Sequence, residues 1–244
     1  MNLLIDYTLH LADTSLILGQ RNAEWCGHGP VLEQDIAITN ISLDLIGQAR
    51  NFYQHAATLI GGDATEDSLA YLRKEREFKN CLLVEQPNGD WAQTILRQYL
   101  FSQYQYLLFE QLQNDKDEQI AAIATKSLKE ITYHLRWSSE WVIRLGDGTA
   151  ESHNRMLKAI DELWRYTGEL FIPSDYEVGM GVDFIKLKET WLNKVKEVFS
   201  EATLTVPEKI FMQSGGKEGK HTEHLGYILT ELQYLQRTYP GCEW

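Results

Sequence analysis

ISLDLIGQARNFYQHAATLIGG, residues 41–62, carries apolar side chains at Leu45, Ala49, Phe52, Ala56 and Leu59. Intervals that alternate between four and three put these five on one face of an α-helix, because residues three and four apart are neighbours on its surface. The pattern reaches back to Glu33, and Gly61-Gly62 close it, glycine being the residue that most readily adopts the backbone of a helix terminus. From Ile41 to Ile46 apolar residues reach nearly every side, so this part of the helix is expected at the centre of a bundle.

The flanking sequence repeats the pattern. Leu4, Tyr7, Leu11 and Leu18 mark a first helix that stops at Cys26-Gly27-His28-Gly29-Pro30. A short helix near Asp67–Phe78 leads to the turn Pro87–Asp90, where Asp90 caps a third long helix with an aromatic stripe of Trp91, Ile95, Tyr99, Ser102, Tyr106 and Phe109. A fourth runs from about Asp115 to Leu145 and ends at Gly146-Asp147-Gly148. Ser152 opens a fifth that Pro173 closes, Asp183 opens a sixth, and the last starts near Thr222. No period-two alternation interrupts these helices. Long helices with short connections predict an all-α, up-and-down bundle in a single domain, residues 1–244, with a core of about 1–146 and accessory helices of about 150–244.

Composition narrows the function. With 43% hydrophobic and 24% charged residues the chain is that of a folded globular protein. A formal net charge of −12 disfavours nucleic acid and anionic lipid as partners. No apolar run approaches the roughly 20 residues of a membrane span, and Asp6, His10 and Asp13 interrupt the start in a way that a signal peptide would not tolerate. A cytoplasmic location is expected. Cys26, Cys81 and Cys242 are far apart and read as reduced thiols.

The commonest site inside such a bundle is a di-iron carboxylate centre, built from single glutamates and Glu-x-x-His pairs whose members share a helix face. Only Glu218 and His221 stand three apart, and Gly215, Gly216 and Gly219 around them indicate a loop. On the long helices the corresponding positions hold substitutes: Asp44 is followed by Gly47, and Glu130 by Tyr133, with His134 one place on. These five read as vestigial di-iron positions, with no metal and no catalytic residue assigned to the chain. Glu130 and His134 read as a hydrogen-bonded pair ahead of a single-metal site, and Asp44 as a buried carboxylate with a cationic or tyrosine partner. Lys209, Lys217, Lys220, His221 and His224 form the one locally basic stretch, either a solvated loop or a contact for CoA phosphates or an acidic partner. No phosphate-binding Gly-rich loop or nucleophile elbow is present.

Several strings converge on one family: RNAEWCGHGP (21–30), LDLIGQARNF (43–52), LLVEQPNG (82–89), YHLRWSSEWVIRLGDGT (133–149), HTEHLG (221–226) and LQYLQRTYPG (232–241). Together they resemble the C subunits of the phenylacetyl-CoA epoxidases, and the likeness spans nearly the whole chain. The resemblance implies a ferritin-like fold and a structural, non-catalytic role beside a catalytic A subunit that holds the di-iron centre. It also implies a small B subunit and a reductase with FAD and an iron–sulfur cluster, the whole using NADPH and O2 to epoxidise the ring of phenylacetyl-CoA in aerobic phenylacetate breakdown. No cofactor is expected in this chain itself. Arg21, Trp25, Arg50, Trp137 and Trp141 are the expected anchors of the A subunit. Two rival readings remain: an atypical metal-dependent oxygenase using Asp44, Glu130 and His134, and a free-standing CoA-thioester binding module.

Overall fold

The computed structural model describes residues 2–208 and 210–242. Among them the chain forms ten α-helices and no β-strand: α1 (Leu3–Ala23), α2 (Leu32–Ile60), α3 (Glu66–Tyr71), α4 (Leu82–Glu85), α5 (Trp91–Leu112), α6 (Glu118–Gly146), α7 (Ala150–Leu163), α8 (Phe184–Glu201), α9 (Glu223–Leu232) and α10 (Tyr234–Thr238). The architecture is all-α and ferritin-like, with four helices of 21, 29, 22 and 29 residues (α1, α2, α5 and α6).

Side-chain caps set most helix starts, each satisfying amide groups that a first turn leaves without partners. Asn2 Oδ1 accepts from Leu4 N, Asp90 Oδ1 from Gln93 N and Asp183 Oδ1 from Lys186 N. Asp117 Oδ1 takes both Gln119 N and Ile120 N. At α7 the cap is Thr149 rather than Ser152, which is the third helical residue and reaches back to Thr149 N at 3.0 Å in a capping box. That helix also stops well short of Pro173. Two 3-10 turns, Trp164–Tyr166 and Gly168–Phe171, follow it, with Thr167 Oγ1 donating to the Trp164 carbonyl at 2.8 Å. The loop between α1 and α2 is tied down by Asp35, whose carboxylate accepts from Gly27 N and Gly29 N at 3.2 and 2.9 Å. A Cβ at Gly29 would sit 2.7 Å from Asp35 Cα, so that chain approach excludes any other residue.

The chain divides into two compact units that do not follow sequence order. The first comprises residues up to Glu85, Ser174–Tyr176 and those from Gly215 on; the second comprises Gln86–Pro173 and Glu177–Ser214. In the first, α1 and α2 pack along their length, with Ile17, Leu18, Ile38, Ile41, Leu45 and Phe52 completely buried. Ser42 Oγ donates to the Gly19 carbonyl at 2.7 Å where the two helices run close. The expectation that residues 41–46 are enclosed on every side does not hold: Leu43 is 62% exposed. Burial of Leu45, Ala49, Phe52 and Ala56 fixes one face of α2 inward, and Leu43 lies roughly 200° around the helix from Leu45.

The second unit packs α5 against α6, α7 and α8. Its core is aromatic. Trp191 meets Trp164 and Phe171 at ring-centroid distances of 5.6 and 5.1 Å, and its Nε1 donates to the Leu100 carbonyl at 3.0 Å, which satisfies the one polar atom that the indole buries.

Two glycines in long helices predict opposite responses to alanine. At Gly47 an added Cβ meets no heavy atom within 4 Å, so Gly47→Ala should stabilise by about 0.5–1 kcal/mol through helix propensity. At Gly146 the Cβ would lie 2.4 Å from the Ala202 carbonyl oxygen and 2.8 Å from Ala202 Cβ. Gly146→Ala should therefore destabilise by about 1–3 kcal/mol, as overpacking against backbone does. Urea midpoints measured side by side check both signs.

Candidate functional site

The positions where a di-iron centre would draw its ligands are distributed over both units. On α2, Asp44 is half-buried and Gly47 lies on the exposed face. On α6, Glu130 is half-buried, His134 is fully buried, and Tyr133 is 37% exposed with its ring edge-on to that of His134 at 6.4 Å. Gly47 and Tyr133 therefore do not line an interior, contrary to their reading as inward-facing replacements for histidine. Each stands two residues, roughly 200°, from a buried neighbour, Leu45 or Ile131. Among the described residues no group of three or more His, Cys, Asp or Glu side chains is arranged to hold a metal ion. Gly47 has no donor atom and Tyr133 points its ring outward, so the residues present do not fit a di-iron centre.

Two other carboxylates organise the first unit. Asp13, in the middle of α1, is completely buried. It accepts from Tyr53 Oη at 2.6 Å, from Lys79 N at 2.8 Å, from Arg73 Nη1 at 3.1 Å and from Arg73 Nη2. The Arg73 guanidinium lies 4.3 Å from the Phe78 ring centroid and donates to the Leu69 and Glu77 carbonyls. Burial, reinforced by Asp13, pushes the Tyr53 hydroxyl well above its ordinary pKa. Burial alone would lower that of Arg73, but Asp13 and Tyr53 outweigh it and the guanidinium is held above its ordinary value. In the sequence Asp13 stands out only as a break in an apolar run. A charge inside LHLADTSLIL nevertheless carries a signal, since a carboxylate at a core position needs cationic or hydroxyl partners.

Glu85, also completely buried, is the second. It accepts from Asn80 Nδ2 at 2.8 Å, Thr222 N at 2.6 Å and Thr222 Oγ1 at 2.8 Å, and pairs with His221 Nδ1 at 2.9 Å. These contacts revise the basic stretch. The His221 side chain is fully buried, and Lys217 is buried with its carbonyl accepting from Tyr176 Oη at 2.9 Å. Lys220 is exposed and pairs with Glu218 at 3.1 Å, while His224 is half-buried. Lys209 lies outside the described residues. The described members of the set therefore do not form one cationic surface for phosphate groups, because Lys217 and the His221 side chain are buried, the latter against Glu85.

The expected anchors of a partner separate in the same way. Arg21 is turned inward, donating to the Glu85 carbonyl through Nε and Nη2 at 3.2 and 3.0 Å and pairing with Glu24. Trp137 is 8% exposed and meets the Trp91 ring edge-on at 6.0 Å. Both side chains are buried within the chain's own packing. Trp25 and Trp141 are half-buried, the latter beneath the Arg144 guanidinium at 5.5 Å. Arg50 is exposed and lies 3.5 Å from Glu66.

Spacing rules alone miss the outer face of α2. Leu32, Ile36, Leu43, Gly47 and Arg50, with Asn40 between, follow one another at intervals of three and four, and every one is exposed: Leu32 72%, Ile36 51% and Leu43 62%. The apolar character of Leu32, Ile36 and Leu43 is legible in the sequence, but it points to the core.

A family model described as phenylacetic acid catabolic protein matches residues 1–244. The chain is 50% identical over 249 residues to the C subunit of the 1,2-phenylacetyl-CoA epoxidase of Escherichia coli (strain K12), with 100% of both chains covered.

Removing one partner of the buried Asp13 cluster should be severe. Arg73→Ala leaves a carboxylate uncompensated in the core and should cost about 3–5 kcal/mol. Lys194→Ala, which breaks an exposed pair with Glu197, should leave the urea midpoint unchanged within error.

Proposed function

Because the chain belongs to the phenylacetic acid catabolic protein family, we propose that it is the C subunit of a multicomponent phenylacetyl-CoA epoxidase in the cytoplasm, structural rather than catalytic. In this reading its work is to bind and stabilise a catalytic A subunit, which holds the di-iron centre. A small B subunit and a reductase with FAD and an iron–sulfur cluster complete an assembly that uses NADPH and O2. The E. coli relative, named as the C subunit of that epoxidase, supports membership in such an assembly. The poor match of Asp44, Gly47, Glu130, Tyr133 and His134 to a di-iron ligand set supports the structural role, and no reaction step is assigned to them.

The observation that carries the reading is the exposed apolar stripe on α2. A helix whose inner face is already filled by Leu45, Ala49 and Phe52 has no internal use for a second row of Leu32, Ile36 and Leu43. Contiguous exposed apolar surface with a polar rim marks interaction sites. From Leu32 to Arg50 the stripe runs for roughly 27 Å at 1.5 Å per residue, long enough to seat a partner helix. Gly47, with open space around it, lets such a helix approach the α2 backbone closely. Burying the three aliphatic side chains would contribute about 1.5–3 kcal/mol each before the costs of association. Arg50 at the end of the stripe supplies a polar edge.

The test uses surface variants that spare the core. Leu43→Glu should leave the thermal transition of the isolated chain nearly unchanged, and Gly47→Glu should not lower it. On co-expression with the A subunit, each should reduce recovery of the complex by at least tenfold. Recovery equal to wild type for both variants would rule out this face as the docking site.

A further inference from the structure

His221 is placed between two hydrogen-bond acceptors. Its Nδ1 lies 2.9 Å from Glu85 Oε2, and its Nε2 lies 2.9 Å from the Phe78 carbonyl oxygen. A neutral imidazole has one N–H and one bare lone pair, so in either tautomer one of these contacts would set a lone pair against an oxygen. Only the imidazolium donates to both. The shared proton belongs on the ring, because Asn80 Nδ2, Thr222 N and Thr222 Oγ1 all donate to Glu85 as well, and an acceptor that gathers so many donors is best satisfied as the anion.

We propose that His221 is a buried cation clamping the segment that leads into α9 onto the Phe78–Glu85 segment, and that this docking is proton-linked and loosens as the ring loses its proton. The clamp joins residues 136 and 143 positions apart in the chain. It immediately precedes α9, whose buried face is Leu225, Ile228 and Leu229.

The charged and titratable groups around the clamp come from every neighbouring element. α4 supplies Glu85. α1 supplies Asp13, offset by Arg73; His10, whose Nδ1 lies 2.7 Å from the Lys79 carbonyl oxygen; and Arg21, which donates to the Glu85 carbonyl. The turn Glu75–Glu77, which packs on α9, carries Glu75, Arg76 and Glu77, and the start of α9 carries Glu223 and His224. Burial alone would lower the pKa of His221, but Glu85, by hydrogen bond and by charge, with the Phe78 carbonyl and Asp13, raises it above 6.5. The folded chain therefore holds this proton more tightly than the opened one. The stabilisation is complete below pH 6.5 and is lost as the pH rises through the folded value.

Two measurements on the full-length wild-type chain test the clamp. In 15N-labelled protein at pH 7, NMR of the assigned His221 ring should find both nitrogens protonated; one bare ring nitrogen would overturn the proposal. Amide exchange over residues 223–232, corrected for intrinsic rates, should show protection falling by up to about tenfold per pH unit above 6.5 until the ring has titrated. Protection that is flat from pH 6 to 9 would also overturn it. His221→Gln has no group that titrates in this range, so it should remove the pH dependence. A variant with the wild-type profile would assign that profile to another group and sink the linkage.

Discussion

A carboxylate withdrawn from water must be surrounded by donors, and the first unit is arranged to meet that demand twice. Asp13 gathers a tyrosine from α2, an arginine from beyond α3 and the backbone of Lys79 around the middle of α1. Glu85 gathers Asn80 from just before α4 and the His221-Thr222 pair from just before α9. Each cluster joins segments distant in sequence, and the loss of any one donor leaves charge stranded where its desolvation is not offset. The net gain in stability from such pairs is modest; their stronger effect here is on register. Few other alignments of α1, α2 and the terminal segment would satisfy both anions at once.

That register leaves α2 with two faces of similar chemistry and different fates. The row from Leu45 to Ala56 is buried on α1 and its surroundings, while the row from Leu32 to Gly47 is open. A 29-residue helix with apolar residues on opposite sides is suited to a chain that completes its packing with another molecule. The absence of a side chain at Gly47 then reads as shape for contact rather than as a missing ligand.

The second unit relies on different physics. Its centre is filled by Trp164, Trp191, Phe171 and Phe199, and the buried Trp191 nitrogen is satisfied by a backbone carbonyl. Close packing sets the limits there, as at Gly146, where a helix end meets Ala202 with no room for a methyl group.

Helix positions follow from neighbouring residues. The three-and-four spacing of apolar residues, the aspartate caps at Asp90 and Asp183 and the glycine stops are local signals. They act through contacts within a few residues, so the long helices stand where the spacing puts them; the differences are at short or terminal pieces, with the helix near Asp67–Phe78 ending at Tyr71, Leu82–Glu85 forming an unexpected turn of helix, α7 ending at Leu163 and the last helix divided into α9 and α10. The strings from RNAEWCGHGP to LQYLQRTYPG likewise sufficed for the family, since each is contiguous. Which face of a helix turns inward is not local. The run of apolar residues from Ile41 to Ile46 is compatible with full burial, and only its packing against α1 shows that Leu43 and Gly47 look outward. The same holds for Arg21, Trp137, Lys217 and His221, which the sequence reading sets on partner or ligand surfaces. They turn inward because the acceptors and rings they meet come from segments far along the chain that no spacing rule can pair.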